Sequence, residues 1–224
     1  MRLVLYGGGD EASNLELDLM ALKLTNKKKQ DIKLAYIPSC SYDSHREFNA
    51  FASHYSKLGV RKIINFPIDT PMAQGPVFRR ELLNCDLVHM GGGNTFYFLK
   101  YLRKYKMLSV LRRFAESGKV LTGLSAGAIL MTPDIKTASY PSFDRDDNDE
   151  NIRNLKALSL CRFEFFPHYR NSNRYSNALR QESMKTQLPI YACPDGHGIL
   201  FIDDTLQFVG KSYVFFKGQR FSVF

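Results

Sequence analysis

Val120-Leu121-Thr122-Gly123-Leu124-Ser125-Ala126-Gly127-Ala128-Ile129-Leu130-Met131 reads as a strand, a sharp turn of small residues and the start of a helix. Gly123 to Gly127 match the pattern G-x-S-x-G. A serine on such a strand-to-helix turn sits in strained backbone that projects its Oγ beyond the end of the sheet. Small neighbours are needed because larger side chains would collide with the adjoining strand and helix. The N–H of the following residue, Ala126, then points at a developing oxyanion. The competing reading is a small-residue turn with a structural serine, since Gly and Ala are common.

Upstream of this turn, short apolar runs alternate with longer amphipathic stretches. Leu3 to Tyr6, Lys33 to Ile37, Arg61 to Phe66 and Asp86 to Met90 read as strands. Between them, Leu15 to Leu24 and Phe48 to Leu58 read as helices, as do Thr95 to Leu102 and Leu108 to Ser117. Strand–helix–strand repeats at this spacing imply a mainly parallel sheet with helices on both faces, an α/β fold. Ligand sites in such sheets lie at the carboxyl ends of the strands. Three turns rich in Gly or small residues sit there, after residues 6, 90 and 124. The second, Gly91-Gly92-Gly93-Asn94, precedes a helix and allows close backbone approach. It lacks the lysine of a Walker A phosphate loop, and Asn94 also suits a plain helix N-cap.

Downstream the pattern changes. Asp144 to Glu150 is a strongly charged loop, followed by the aromatic run Phe163 to Phe166 and then His168. Ile199 to Ile202, Leu206 to Val209 and Tyr213 to Phe216, separated by Asp- and Gly-containing turns, read as antiparallel edge strands. Neither a linker nor an internal repeat is visible, so residues 1–224 read as a single α/β domain.

Composition bounds the function. With 224 residues, 44% of them hydrophobic and 24% charged, the chain can bury a sizeable core. Disorder, collagen and a small disulfide scaffold are excluded. No run approaches the ~18 apolar residues of a membrane span, and no signal-peptide core is present. The four cysteines and five histidines are dispersed without CxxC or HExxH spacing, so no metal and no cofactor is expected. Free thiols without an export signal fit a cytoplasmic protein. Thirty-one Lys+Arg against 22 Asp+Glu leave a charge of +9, but its carriers are scattered and lack a nucleic-acid-binding pattern. Neither a nucleic acid nor a membrane is expected as a partner.

G-G-G-N-T-F at residues 91–96, the serine turn, F-P-H-Y at 166–169 and P-D-G at 194–196 together resemble the peptidase E (α-aspartyl dipeptidase) family. That family includes cyanophycinase-like relatives and has a class I glutamine-amidotransferase-like fold. The resemblance spans nearly the whole chain. It implies Ser125 as nucleophile, His168 as catalytic histidine, and the N–H groups of Gly93 and Ala126 as oxyanion hole. For the third member, the family's T-x-N-D segment falls on Thr137 to Tyr140, where Tyr140 replaces the carboxylate. The acid of a P-E-G segment corresponds to Asp195, which is preferred, though Asp-Gly is also an ordinary turn. Arg174 falls where the family places a substrate-facing arginine, with Arg170 its competitor, and Asn94 and Tyr140 complete the candidate substrate residues.

The expected reaction is serine-peptidase hydrolysis of dipeptides or short peptides through an acyl-enzyme, with a preference for N-terminal Asp. The departure at Tyr140 leaves broader or cyanophycinase-like specificity open, and a non-catalytic ligand-binding relative of the fold is a third reading. An amidotransferase would carry cysteine at position 125. Apolar, aromatic edge strands near the C-terminus suggest a homodimer.

Overall fold

The computed structural model describes residues 1–40 and 44–224, Ser44 by its backbone alone. Five strands form the parallel part of the main sheet: β1 (Arg2–Tyr6), β2 (Lys33–Ile37), β3 (Lys62–Asn65), β4 (Leu87–Met90) and β5 (Val120–Leu124). They lie in the order β3-β2-β4-β5-β1. The helices connecting them are α1 (Leu15–Leu24), α2 (Ser44–Lys57), α3 (Pro76–Leu83), α4 (Thr95–Lys104) and α5 (Met107–Glu116), with α6 (Ala126–Ile129) directly after β5. Past β1 the sheet continues with β8 (Gly198–Ile202) and β9 (Thr205–Val209), both antiparallel.

The period-2 pattern of the strands decides the two faces. Leu3 and Leu5 of β1 point into the cluster that also buries Phe98, Leu99 and Leu111 of α4 and α5. Val4 and Tyr6 point the other way, onto Leu17 of α1 and Phe51 and Tyr55 of α2. All four β1 side chains are at most 1% exposed, each stabilising the fold by roughly 1.5–3 kcal/mol.

A second sheet, not anticipated from the sequence, gathers β6 (Glu164–Phe166), β7 (Ile190–Ala192), β10 (Ser212–Phe216) and β11 (Gln219–Val223) in the order β11-β10-β7-β6. Tyr213 to Phe216, expected as a further edge strand of the main sheet, instead pairs with β7. The pair β6–β7 is parallel and is bridged by α7 (Asn173–Ser183), whose N-cap is Ser172 accepting from the Tyr175 N–H. Among the described residues, no helix is long and apolar enough to cross a membrane, and no group of His, Cys, Asp or Glu side chains is arranged to hold a metal ion.

His89, on β4, is 5% exposed and lies between Tyr36, Phe51 and Tyr6. Its Nδ1 is 2.8 Å from Thr122 Oγ1 on β5. Burial pushes its pKa down from 6.5 to about 3, so the native ring stays neutral where the unfolded chain binds a proton. Stability is therefore lost as pH falls through that interval, by about 3 kcal/mol at pH 4. His89→Gln is expected to narrow the difference in unfolding free energy between pH 7 and pH 4 by this amount, as read from urea titrations. An unchanged difference would place the pH sensitivity elsewhere.

Candidate active site

β5 is flanked by β4 and β1, and the chain leaves it through Ser125 at φ +50° and ψ −107°. That conformation costs a non-glycine residue roughly 1–3 kcal/mol and persists only where its surroundings over-determine it. Here they do. The Ser125 N–H donates to Tyr6 O at 3.1 Å, and Ser125 O accepts from the N–H groups of Ala128 and Ile129. A Cβ on Gly123 would fall inside 3.0 Å of the Gly127 and Ala128 backbone, and one on Gly127 inside 3.0 Å of the Met90 carbonyl. Both clashes are with main chain, which cannot rotate aside. The glycines of the motif are thus packing requirements of the turn.

The other two polar residues come from the second sheet. His168 follows β6, and its N–H donates to Gly7 O at 2.6 Å. Asp195 follows β7, and the next N–H, of Gly196, donates to Gly8 O at 3.0 Å. Gly7 N–H in turn donates to His197 O at 2.8 Å. The turn after β1 therefore fastens both segments beside Ser125. His168 Nε2 stands 2.8 Å from Ser125 Oγ, and His168 Nδ1 stands 2.7 Å from Asp195 Oδ1. An ionised carboxylate only accepts, so Nδ1 carries the proton and Nε2 is free to accept from the serine hydroxyl. The His168 and Asp195 side chains are 48% and 58% exposed, which leaves the relay open to substrate and water.

Ser125 and His168 open on a cleft of about 530 Å³ that is also lined by Gly93, Phe143, Arg145 and Phe166. Gly93 has φ +127°. Among the described residues, neither its N–H nor that of Ala126 donates to a protein acceptor. Arg170 lines a smaller adjoining pocket with Asp144, Tyr175 and Asp195.

Three of the expected substrate residues lie elsewhere. Asn94 caps α4: its Oδ1 accepts from the Tyr97 N–H and its Nδ2 donates to Asp147 O. Tyr140 turns to the buried Glu164, donating to Oε2 at 3.1 Å, and stacks on Phe166. Burial pushes the Glu164 carboxyl above its usual range. Arg174 lays its guanidinium 3.6 Å over the Phe143 ring, so it reaches the cleft wall only through that ring.

Two residues had gone unrecognised. Gly8 (φ +132°) leaves the space where a Cβ would fall inside 3.0 Å of both His168 Nδ1 and Asp195 Oδ1. The available signal is the glycine turn after the first strand, at a strand end where such sheets bind ligands. Arg145 sits in the charged loop, which the structure shows to be fastened on both sides. Asp144 Oδ2 accepts from the Tyr175 hydroxyl at 2.7 Å, and Asp146 Oδ2 accepts from the Thr95 N–H at 2.7 Å. The arginine between them is held at the cleft. The Asp-Arg-Asp alternation was the available signal.

Known proteins share the fold and the family. A solved structure of a peptidase from an acI-B1 actinobacterium superposes with a TM-score of 0.74 at 16% identity, covering 99% of this chain and 93% of that one. The chain is 27% identical over 209 residues to the uncharacterized peptidase YgaJ of Bacillus subtilis, covering 92% of this chain and 85% of that protein. It is 31% identical over 156 residues to peptidase E of Shewanella amazonensis, covering 63% and 61% of the two chains. The model of peptidase family S51 matches residues 3–209. With a serine–histidine pair in hydrogen-bond contact at the end of its central strand, the chain belongs to peptidase family S51 and is a serine peptidase.

Proposed function

We propose that the protein hydrolyses dipeptides or short peptides through an acyl-enzyme on Ser125. The observation that carries this reading is the unbroken relay Ser125 Oγ–His168 Nε2–Asp195 Oδ1, with separations of 2.8 and 2.7 Å. His168 takes the serine proton as Oγ attacks the scissile carbonyl, then returns it to the leaving amine. Asp195 fixes the imidazole tautomer and stabilises its cationic form. The N–H groups of Gly93 and Ala126 receive the oxyanion. A water deprotonated by His168 then hydrolyses the acyl-enzyme.

The substrate preference we infer is an acidic N-terminal residue, Asp first. Arg145 in the cleft supports it, as a guanidinium can hold a carboxylate through two hydrogen bonds. Arg174 and Arg170 add positive potential at the rim. We infer that Arg145, rather than Arg174, faces the substrate carboxylate.

Incubation with a fluorophosphonate probe is expected to modify the wild type at Ser125, read as a mass increment on the peptide carrying it, and to leave Ser125→Ala unmodified. On a panel of Asp-X, Gly-X and Leu-X dipeptides, Asp-X is expected to be cleaved fastest. Arg145→Ala should lower kcat/KM for Asp-X by about 10–100-fold, since hydrogen bonds to charged groups contribute ~1.5–3 kcal/mol. Labelling elsewhere would remove Ser125 as nucleophile, and equal rates across the panel would remove the Asp preference.

A further inference from the structure

A second cavity, of about 420 Å³, lies on the α1–α2 side of the main sheet. Aromatic rings of Tyr36, Phe51 and Tyr55 form much of its wall. Most of its buried polar groups satisfy one another. Asp18, 4% exposed, accepts from the hydroxyls of Tyr6 and Tyr55 through Oδ1 at 2.9 and 2.7 Å, and its Oδ2 is 2.8 Å from His54 Nε2. One atom is left over. Asn14, also lining the cavity and 5% exposed, has a buried Oδ1 with no hydrogen-bond donor among the described residues. A buried acceptor left unpaired is destabilising, and a ligand N–H placed against it would satisfy it.

The charge of the lining agrees with a donor-rich ligand. Asp10, Glu11 and Glu47 contribute three carboxylates against the one guanidinium of Arg46, while the carboxyl of Asp18, raised by burial, is taken up by Tyr6, Tyr55 and His54. Asp10 is held below the usual carboxylate range by hydrogen bonds from Ser13 and stays ionised. His89 in the same wall is neutral. Negative charge, ring faces and an unpaired acceptor together suit an ammonium or guanidinium group.

The position of the cavity relates it to the relay. Gly9, Gly92 and Leu124 line it, and each is the chain neighbour of a residue at the cleft: Gly8 against the His168–Asp195 pair, Gly93, and Ser125. The cavity and the cleft thus flank the same strand ends from opposite faces of the sheet. We propose that this second cavity is the leaving-group pocket and receives a residue with a basic side chain, Lys or Arg, on the amine side of the scissile bond. The proposal rests on Ser125 being the nucleophile. As the tetrahedral intermediate collapses, the C–N bond breaks, the nitrogen takes the proton held on His168 Nε2, and the basic residue departs with a free amine.

The test uses dipeptides sharing one N-terminal residue and differing in the second: Lys, Arg, Ala or Glu. Wild-type kcat/KM is expected to be at least about tenfold higher for Lys and Arg than for Ala, with Glu lowest. Ala50, exposed on α2, lines the cavity, and Ala50→Phe would fill it. The Lys-to-Ala ratio should then fall to near one. Equal wild-type rates across the series, or a ratio untouched by Ala50→Phe, would overturn the proposal. Fluorophosphonate labelling of Ser125 reports the nucleophile separately. Calorimetric titration of Ser125→Ala with L-argininamide reads the cavity without turnover: binding abolished by adding Ala50→Phe supports it, and no binding overturns it.

Discussion

Asp195→Asn is expected to lower kcat for dipeptide hydrolysis by about 10⁴, and Ser125→Ala or His168→Ala by about 10⁶. The reason lies in one proton. Asp195 Oδ1 accepts the His168 Nδ1 hydrogen at 2.7 Å, which leaves Nε2 as a lone pair facing Ser125 Oγ. An asparagine amide presents N–H donors to Nδ1, favouring the tautomer with hydrogen on Nε2, which cannot accept from serine. The half-exposed carboxylate contributes its charge through a high dielectric, so most of the loss comes from tautomer and orientation. Among the described residues, no other acid is placed to take over. Asp144 lines the neighbouring pocket, but its Oδ2 accepts from Tyr175. Because the three side chains act as one unit, the double variant Ser125→Ala/Asp195→Asn should be no slower than Ser125→Ala alone. Steady-state rates with the circular dichroism spectrum unchanged check this, and a loss below about tenfold in Asp195→Asn would assign the orienting role to a different group.

The second large effect is expected from a residue with no side chain. Gly8→Ala should reduce kcat by about 10³ or more while leaving the protein folded, because its methyl group enters the space between His168 Nδ1 and Asp195 Oδ1. The obstructed atoms are side-chain ends, which can rotate away, so the chain tolerates the substitution at the price of that hydrogen bond. The φ of +132° adds a backbone penalty of roughly 1–3 kcal/mol, visible as a lowered Tm. Steric separation and loss of the carboxylate remove the same interaction, so Gly8→Ala in an Asp195→Asn background should cost little further activity. Full additivity of the two losses would show that Gly8 acts by another route. In contrast, Ala at Gly127 meets the Met90 backbone carbonyl, which has no such freedom.

The parallel half of the fold was readable because three of its five strands run into small-residue turns, Gly7 to Gly9, Gly91 to Gly93 and Gly123 to Gly127, and the other two are stopped by Pro38 and Pro67. The second sheet was hidden for a physical reason. β6 and β7 have three residues each, too few for an alternation to emerge, and β10 carries nothing local that distinguishes β7 from β9 as its partner. α3, not expected from the sequence, is only eight residues long and begins with a proline at its first turn. In the site, Ser125 and His168 were legible from their surroundings, whereas Arg145 was not. Its position depends on Asp144 and Asp146 finding Tyr175 and Thr95, contacts 31 and 51 residues apart in sequence. Tyr140 was legible as a polar residue near a motif, but its hydrogen bond to Glu164 is a tertiary fact, whereas the cap that Asn94 places on α4 is local and follows from its alternative reading as an N-cap.

The division of labour between the two sheets has a consequence for synthesis. By the time a ribosome has extended the chain past α6, the nucleophile turn and the β1–β5 strand pair that supports it are available. The base and its carboxylate come at the exits of β6 and β7, and the hydrogen bonds joining them to Gly7 and Gly8 need the chain through His197. β8 must also add along β1, which was made first. The nascent protein thus carries an unarmed serine while residues 126–197 are made, and hydrolytic power arrives only when the last third closes onto the first turn.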